Sequence, residues 1–242
     1  MNKVTPLQEG TFTVGFDKIF NQIDTSKEDL NERARGSLLV EVQCFLVQYN
    51  GLNILLDTGL GFKNPETNQY QLIELIEKEG LKAEDIDMVL MTHLHKDHAG
   101  GLHPEWFPNA TFYIYKAELD FAKEKGFPSY YWEDLEPLTN HPQVTLLTET
   151  EGTINDFIHY QHTGGHCPEH IVYWLELDED ILFFGGDEAP KYKQMMVKYV
   201  AKYDHDGKKA MEFREEWAVK GKQQGWTVLF YHDEKNPVVK LS

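Results

Sequence analysis

Residues 92–101 read Thr-His-Leu-His-Lys-Asp-His-Ala-Gly-Gly, which places His93, His95, Asp97 and His98 within six positions. In a chain with 11 histidines among 242 residues, this pattern arises by chance with a probability on the order of 0.001. Imidazole and carboxylate groups are the ligands that borderline cations such as Zn²⁺ favour, and alternating side chains on a loop can face two neighbouring cations. The stretch therefore predicts a metal site rather than a polar loop whose histidines only bond locally.

Three further candidate ligands, His166, Asp187 and His232, each lie just past a short apolar run. Because loops beyond the carboxyl ends of strands gather around ligands in open sheets, we expect these residues to meet the 92–101 loop. Paired glycines precede His166 and Asp187, and they let the backbone come close to a bound group.

The rest of the chain alternates predicted strands and helices. Asn50-Gly51, between the runs 37–49 and 52–57, is typical of a hairpin, because both turn residues must adopt positive φ. Apolar residues at helical spacing over 72–76 predict a helix that stops near Gly80. The other predicted strands span 88–91, 111–115, 144–147, 157–161, 171–177, 181–184 and 227–231, and the other predicted helices span 117–125, 192–203 and 207–223.

This order of elements predicts one domain over residues 1–242, in which two sheets pack together with helices outside. The chain has 41% hydrophobic and 26% charged residues, which excludes a disordered or fibrous protein. Its formal net charge of -17 argues against nucleic acid and anionic membranes as partners. The sequence contains no apolar run long enough for a membrane span and too few cysteines for a disulfide framework, so we expect a cytoplasmic location.

Taken together, the motifs resemble those of the metallo-β-lactamase superfamily. In chain order they are Leu56-Asp57-Thr58-Gly59, the segment from His93 to His98, Thr163-Gly164-Gly165-His166, Gly186-Asp187 and Tyr231-His232-Asp233. The resemblance covers most of the chain. It implies an α/β fold of four layers, an αβ/βα sandwich of two mixed sheets with helices outside.

The resemblance also implies a role for each motif residue. His93, His95 and His166 would hold one metal ion, Asp97, His98 and His232 would hold a second, and Asp187 would bridge the two. The implied cofactor is a pair of divalent metal ions, with zinc favoured and iron and manganese as alternatives. Asp57 would orient the ligand loop through hydrogen bonds, unless it is only a turn residue at a strand end.

Two neighbouring cations can share a hydroxide at neutral pH, because metal binding lowers the pKa of water from ~15.7 toward ~7. The sequence shows no serine or cysteine elbow with a partner histidine. We therefore expect direct attack of this hydroxide on a carbonyl or phosphorus centre, with no covalent enzyme intermediate. Asp97 would also orient the hydroxide and pass its proton to the leaving group.

Departures from the family pattern indicate the branch. Only ten residues follow His232 in this sequence, whereas glyoxalase-like hydrolases carry a helical extension there. True β-lactamases in general lack an aspartate at the position of Asp187. The diiron flavoproteins usually have glutamate at the position of His95. The chain thus most resembles N-acyl homoserine lactonases and their organophosphate-hydrolysing relatives, which implies hydrolysis of a small ester or lactone. Phosphoester hydrolysis, an iron-dependent oxidoreductase of the same fold, and a metal-binding module without catalysis stay open.

Two aromatic residues are candidates for the substrate pocket. The lactonases have a tyrosine three residues after the bridging aspartate, where this chain has Pro190, so Tyr192 is a candidate substitute, with packing as the alternative. Trp132 would form the wall of an apolar pocket for an acyl chain, with packing or a subunit contact as alternatives. We expect a small-molecule substrate, and the sequence leaves the oligomeric state open, a homodimer included.

Overall fold

A computed structural model describes residues 3–29 and 32–242 of the chain. The first seven strands are β1 (Lys3–Val14), β2 (Phe20–Gln22), β3 (Leu38–Tyr49), β4 (Leu52–Leu56), β5 (Met88–Leu90), β6 (Thr111–Tyr115) and β7 (Val144–Leu147). They form one sheet in the order β2-β1-β3-β4-β5-β6-β7, in which β4 to β7 run parallel and the other pairs antiparallel.

The second sheet contains the remaining strands. These are β8 (Glu151–Ile154), β9 (Ile158–His162), β10 (Ile171–Leu177), β11 (Asp180–Phe184), β12 (Thr227–Leu229) and β13 (Val238–Lys240). Their order is β13-β12-β11-β10-β9-β8, and β11 and β12 form its parallel pair. Both sheets are therefore mixed, as expected.

The helices connect and cover these sheets. The α-helices are α1 (Gln71–Lys78), α2 (Lys96–Ala99), α3 (Lys116–Lys125), α4 (Trp132–Leu135), α5 (Tyr192–Met196) and α6 (Gly207–Gln224). Within the described residues, no helix combines the length and the apolar character that crossing a membrane requires. Two mixed sheets with helices confirm the predicted α/β sandwich.

The alternation of side chains along the strands builds two apolar cores. On β10, Tyr173 belongs to the larger core, which takes residues from both sheets, whereas its neighbour Val172 belongs to a smaller core beneath α6. Between the sheets, Phe45 on β3 packs edge-to-face on Phe184 of β11, with ring centroids 5.6 Å apart. Successive strand residues point to opposite faces, so a single strand contributes to both layers.

The predicted helix over 192–203 is wrong beyond Met196, where α5 ends. The chain from there to α6 is irregular because its backbone groups bond outward instead of along a helix. The Tyr199 carbonyl accepts from Arg214, and the His205 amide donates to the His166 carbonyl. The sequence analysis also missed β1, β2, β8 and β13, which are edge strands or mix glycine, proline and charged residues with apolar ones.

A bulge in β1 turns Glu9 into the protein interior. The register of β1 against β3 shifts between Gln8 and Gly10, which leaves Glu9 outside the ladder. Its side chain is buried, and one carboxylate oxygen accepts a 2.7 Å hydrogen bond from the Leu60 amide. Burial raises the pKa of Glu9 to about 7, against the hydrogen bonds from Leu60 and Gly61 that lower it. Glu9 thus anchors the loop that follows β4.

That loop lies directly against the end of the 92–101 segment. Gly61 has φ +68, and a Cβ atom there would lie 2.0 Å from the carbonyl oxygen of Gly100. The Gly100 amide also donates to the Gly59 carbonyl at 2.7 Å. Glycine is therefore required at Gly61 both by the backbone conformation and by the close approach of two chain segments.

We expect Glu9 to make the protein less stable as the pH rises. Its folded pKa of about 7 lies above the ordinary 4.5, so between these values the folded state retains a proton that the unfolded state has lost. The free energy of unfolding then falls over this range, by on the order of 3 kcal/mol for this group. Urea unfolding of Glu9→Gln at about pH 5 and about pH 7.5 should show a weaker dependence on pH than the wild type.

Glu66→Gln is the matched control, because the Glu66 side chain is exposed. Its unfolding should follow the wild type at both pH values. A Glu9→Gln variant with the full pH dependence of the wild type would show that this carboxyl group does not titrate differently in the folded state.

Candidate metal centre

The loop after β5 is held from below by the buried carboxylate of Asp57. One oxygen accepts from the Thr92 amide at 2.7 Å, and the other accepts from the Thr92 hydroxyl at 2.8 Å and lies 2.7 Å from His98 Nδ1. Asp57 is fully buried and has φ 56, in the left-handed region. It therefore lies beneath the loop and fixes both its backbone and one of its histidines.

All seven predicted ligands converge at one place, past the ends of strands from both sheets. Three groups have their ligand atoms within 4.8 Å of one another: His93, His95 and His166; His93, His98 and Asp187; and Asp97, His98 and His232. His95 Nδ1 lies 3.0 Å from His93 Nε2 and 3.1 Å from His166 Nε2. His232 Nε2 lies 3.5 Å from Asp97 Oδ2.

Asp187 lies between these groups, and its two oxygens face different histidines. Oδ2 is 3.2 Å from His166 Nε2, whereas Oδ1 is 2.9 Å from His232 Nε2 and 3.3 Å from His98 Nε2. Gly186 has φ +48, and a Cβ atom there would lie 2.7 Å from the Thr92 hydroxyl. The glycine before Asp187 thus lets this turn reach the loop that carries the other ligands.

In four of the histidines the outer ring nitrogen is already bonded to the protein. Each Nδ1 has a partner: Thr92 Oγ1 for His93 at 3.0 Å, Asp57 for His98 at 2.7 Å, Asp204 for His166 at 3.0 Å and the Glu41 carbonyl for His232 at 2.5 Å. A proton held on Nδ1 by such a partner leaves Nε2 with its lone pair. These four rings are therefore oriented with Nε2 toward the centre.

Two atoms at the centre have no hydrogen-bond partner among the described residues. His98 Nε2 and Asp187 Oδ1 are both buried, and they face each other at 3.3 Å without the alignment of a hydrogen bond. A buried polar atom without a partner costs about 1–3 kcal/mol. Imidazole nitrogens and carboxylate oxygens around an unsatisfied centre are a donor set suited to a divalent cation, so the residues present fit a metal ion.

The charges at the centre follow from burial and from these contacts. Burial, and then the neighbouring imidazoles, lower the pKa of His93 well below its ordinary value. Burial acts against a charge on His98, but the nearby carboxylates, Asp187 first among them, raise its pKa well above the ordinary value. Burial likewise opposes the charge of Asp187, yet the surrounding histidines, led by His232, lower its pKa well below the usual range.

Sequence reasoning missed a buried charged network behind His166. Glu188 accepts from the His166 amide at 2.6 Å, and Asp204 holds the His166 ring. Arg214 on α6 is 1% exposed and donates to the Glu188 carbonyl at 2.7 Å and to the Tyr199 carbonyl at 2.6 Å. Asp204 gave no sequence signal, because it lies in the segment that was predicted to lead from one helix into the next.

A further missed residue, Glu118 on α3, supports the ligand loop from the other side. Its side chain is 1% exposed and accepts from the Leu94 amide at 2.9 Å, between two of the histidines. Cys167 is buried, and its Sγ lies 3.6 Å from the same carboxylate. The thiol therefore faces Glu118 and packs behind the centre.

A cavity of about 210 Å³ opens onto the ligand cluster. Five apolar residues form one part of its walls: Val14, Phe20, Leu38, Leu39 and Val40. Three lysines also line it: Lys18, Lys96 and Lys191. The remaining lining residues outside the ligand cluster are Pro128, Ser129, Pro190, Gln194, Tyr199 and Tyr203. Tyr192 and Trp132, the two aromatic candidates, do not line it. The Tyr192 ring packs on Phe230 instead, and Trp132 lies beneath Lys123.

We expect Asp204→Ala to weaken metal binding about 10- to 100-fold, which is the usual effect of removing the partner that orients a metal-binding histidine. Competition with a chromophoric chelator measures this affinity, and thermal unfolding of the metal-free variant checks its fold. Asp206→Asn is the control, since Asp206 caps α6 and asparagine caps a helix equally well. Wild-type affinity in Asp204→Ala would contradict the orienting role.

The amino-acid sequence is similar to those of known lactonases over part of its length. An N-acyl homoserine lactonase of Bacillus cereus is 26% identical over 163 residues, which cover 60% of this chain and 62% of the relative. The match thus spans less than two thirds of the length of that relative.

Solved structures share the fold over nearly the whole chain. A probable metal-dependent hydrolase from Staphylococcus aureus superposes with a TM-score of 0.78 at 24% identity, covering 99% of this chain and 92% of that one. AidC, a dizinc quorum-quenching lactonase in complex with a product, gives a TM-score of 0.72 at 20% identity and covers 99% and 90%. The sequence model that represents the metallo-beta-lactamase superfamily matches residues 39–232 of this chain. The chain therefore belongs to the metallo-beta-lactamase superfamily, as its motifs predict.

Proposed function

We propose that this protein is a hydrolase with two divalent metal ions that cleaves a small ester or lactone. The observation that carries the proposal is the position of Asp187, whose two oxygens face separate histidine groups at the floor of one open cavity. One cation could use only one of these oxygen–histidine groups fully, whereas two neighbouring cations would each use one oxygen of Asp187 and the histidines that face it.

In this proposal two sets of ligands would each hold one ion, with Asp187 shared between them. His93, His95 and His166 would hold the first ion, Asp97, His98 and His232 would hold the second, and Asp187 would bind both. When bound, such ions lower the pKa of water toward ~7 and polarise the oxygen of a substrate carbonyl. Zinc is the ion that this mixed imidazole and carboxylate set favours, with iron and manganese as alternatives.

The protein itself contributes orientation and proton transfer. Asp97 lines the cavity, and its carbonyl oxygen accepts from the Tyr231 hydroxyl at 2.5 Å, which fixes the backbone of this residue. The Asp97 carboxylate is thereby positioned to take a proton from the attacking water and return it to the leaving oxygen. The two cysteines are buried, and neither lines the cavity, which favours water over a thiolate as the nucleophile.

The relatives and the cavity walls support an ester or lactone as substrate. The curated relative is an N-acyl homoserine lactonase, and a structural neighbour is a lactonase in complex with a product. Phe20, Leu38 and Val40 give the cavity an apolar side that fits an acyl chain.

A substrate screen tests the reaction class. The protein is reconstituted separately with zinc, manganese and iron, and each sample is assayed against lactones, carboxylic esters, thioesters, phosphotriesters and phosphodiesters, with the metal content measured on the same sample. We expect turnover of lactones or esters with close to two ions per chain. Full activity in the chelated protein, or activity that requires iron and an oxidant, would refute the proposal.

Loss of a single ligand should remove metal and activity together. We expect His98→Ala and Asp187→Ala to lower the bound metal below two ions per chain and to reduce kcat/KM by about 100-fold or more, because the residues that hold the ions act as a unit. His205→Ala is the control, since the His205 side chain is exposed although its backbone bonds to His166. A ligand variant that lost its metal and kept its turnover would contradict the mechanism.

A further inference from the structure

Lys191 is a half-buried cation in the wall of the cavity. Its ammonium group donates one hydrogen bond, to the Leu39 carbonyl at 3.3 Å. Among residues 3–29 and 32–242, it forms no ion pair with a carboxylate. An ammonium group has three donors, so Lys191 retains donors that the described protein does not satisfy.

The acidic groups nearest to Lys191 are occupied elsewhere. One Asp233 oxygen accepts from the Tyr192 amide at 3.0 Å, and the other accepts from two backbone amides in the following turn. Glu41 accepts from the Thr11 hydroxyl at 2.7 Å. Asp187 faces the histidines of the metal centre. Burial lowers the pKa of Lys191, against the effect of these three carboxylates.

The backbone on both sides of Lys191 is fixed. The Pro190 carbonyl accepts from the His232 amide at 3.0 Å, and the Tyr192 amide donates to Asp233. Both bonds join this turn to the segment that carries a predicted metal ligand. The backbone of Lys191 is therefore held in a fixed relation to the metal centre.

A second lysine gives the cavity the same character. Lys18 is half-buried, lines the cavity and likewise has no ion pair within the described part of the chain, whereas Lys96 is paired with Asp134 at 3.4 Å. Two unpaired cations are unexpected beside the active site of a chain whose formal net charge is -17. Because low-dielectric walls strengthen the field of such groups, the cavity is suited to an anion.

We propose that Lys191, assisted by Lys18, binds an anionic oxygen of the substrate, so that the enzyme prefers esters or lactones that carry a carboxylate or phosphate group beside an apolar chain. This inference rests on the proposed hydrolase function and specifies its substrate class. The apolar residues on β2 and β3 contact the apolar chain of the substrate, and the ester carbonyl lies at the metal centre. Lys191 determines which end of the substrate lies near α5.

The test compares two nitrophenyl esters of similar length, the neutral butyrate and the mono-ester of glutarate, which carries a free carboxylate. We expect the metal-loaded wild type to prefer the glutarate ester. Lys191→Met keeps the apolar stem and removes the charge, and it should raise KM for the glutarate ester about tenfold or more, as expected for loss of a charged hydrogen bond. The KM for the butyrate ester should stay within about twofold.

Two variants separate charge from structure. Lys191→Arg keeps a cation and should retain most of the preference. Lys193→Met removes an exposed lysine from α5, the helix that begins after Lys191, and should leave both KM values unchanged. Calorimetric titration with glutarate and with glycerol phosphate then distinguishes a carboxylate site from a phosphate site. Lys191→Met should weaken binding of the preferred anion by a similar factor.

The outcomes are distinct for the two proposals. A wild type that prefers the neutral ester, or a Lys191→Met variant that changes both esters equally, would overturn the anion site and leave Lys191 as a structural contact to Leu39. If no ester is hydrolysed but the anion binds and Lys191→Met weakens that binding, the hydrolase proposal fails and the anion site stands. If glutarate and glycerol phosphate bind the wild type and Lys191→Met equally, the anion site is refuted whatever the activity.

Discussion

The structure depends on the convergence of seven imidazole and carboxylate groups, six of them buried, at the point where loops from both sheets meet. The carboxylates raise the pKa of His98 and His166, although burial opposes both charges. Burial keeps His93 and His95 neutral, which is the form that binds a metal. A divalent cation at this centre would compete with protons for the same ring nitrogens and carboxylate oxygens.

The scaffold holds these groups by bonding their far sides. Asp57 fixes the loop after β5, Glu118 fixes the same loop from α3, and Glu9 fixes the neighbouring loop from a bulge in β1. All three carboxylates are buried and accept hydrogen bonds from backbone amides. These bonds compensate for the burial of the carboxylates, so the loops are held without using the side chains that face the centre. The arrangement explains why a bulge, a positive φ at Asp57 and close glycine contacts occur together around one site.

The sequence allowed prediction of the fold class, most strands and the convergence of the seven ligands, because those signals are local: apolar runs, an Asn-Gly turn and a tight histidine motif. Residues that act through distant contacts gave no such signal. Asp204 and Arg214 meet His166 and Glu188 only after the segment beyond α5 leaves the helical path, and the helix predicted over 192–203 hid this bend. Tyr192 was selected by its position near Asp187, but position along a chain does not decide on which side of a turn a ring packs.

The floor and the walls of the cavity differ in the kind of sequence that builds them. The floor consists of short motifs at strand ends that are fixed by buried hydrogen bonds, and these motifs lie within residues 39–232, the range that the family match covers. The walls come largely from β1, β2, the start of β3, the turn before α5 and the irregular chain beyond α5. In the function proposed here, the floor residues carry out the reaction and wall residues such as Lys191 select the substrate. The hydrogen bond between the Pro190 carbonyl and the His232 amide fixes the backbone of the turn that carries this lysine, so its side chain begins from a defined point beside the ligand cluster.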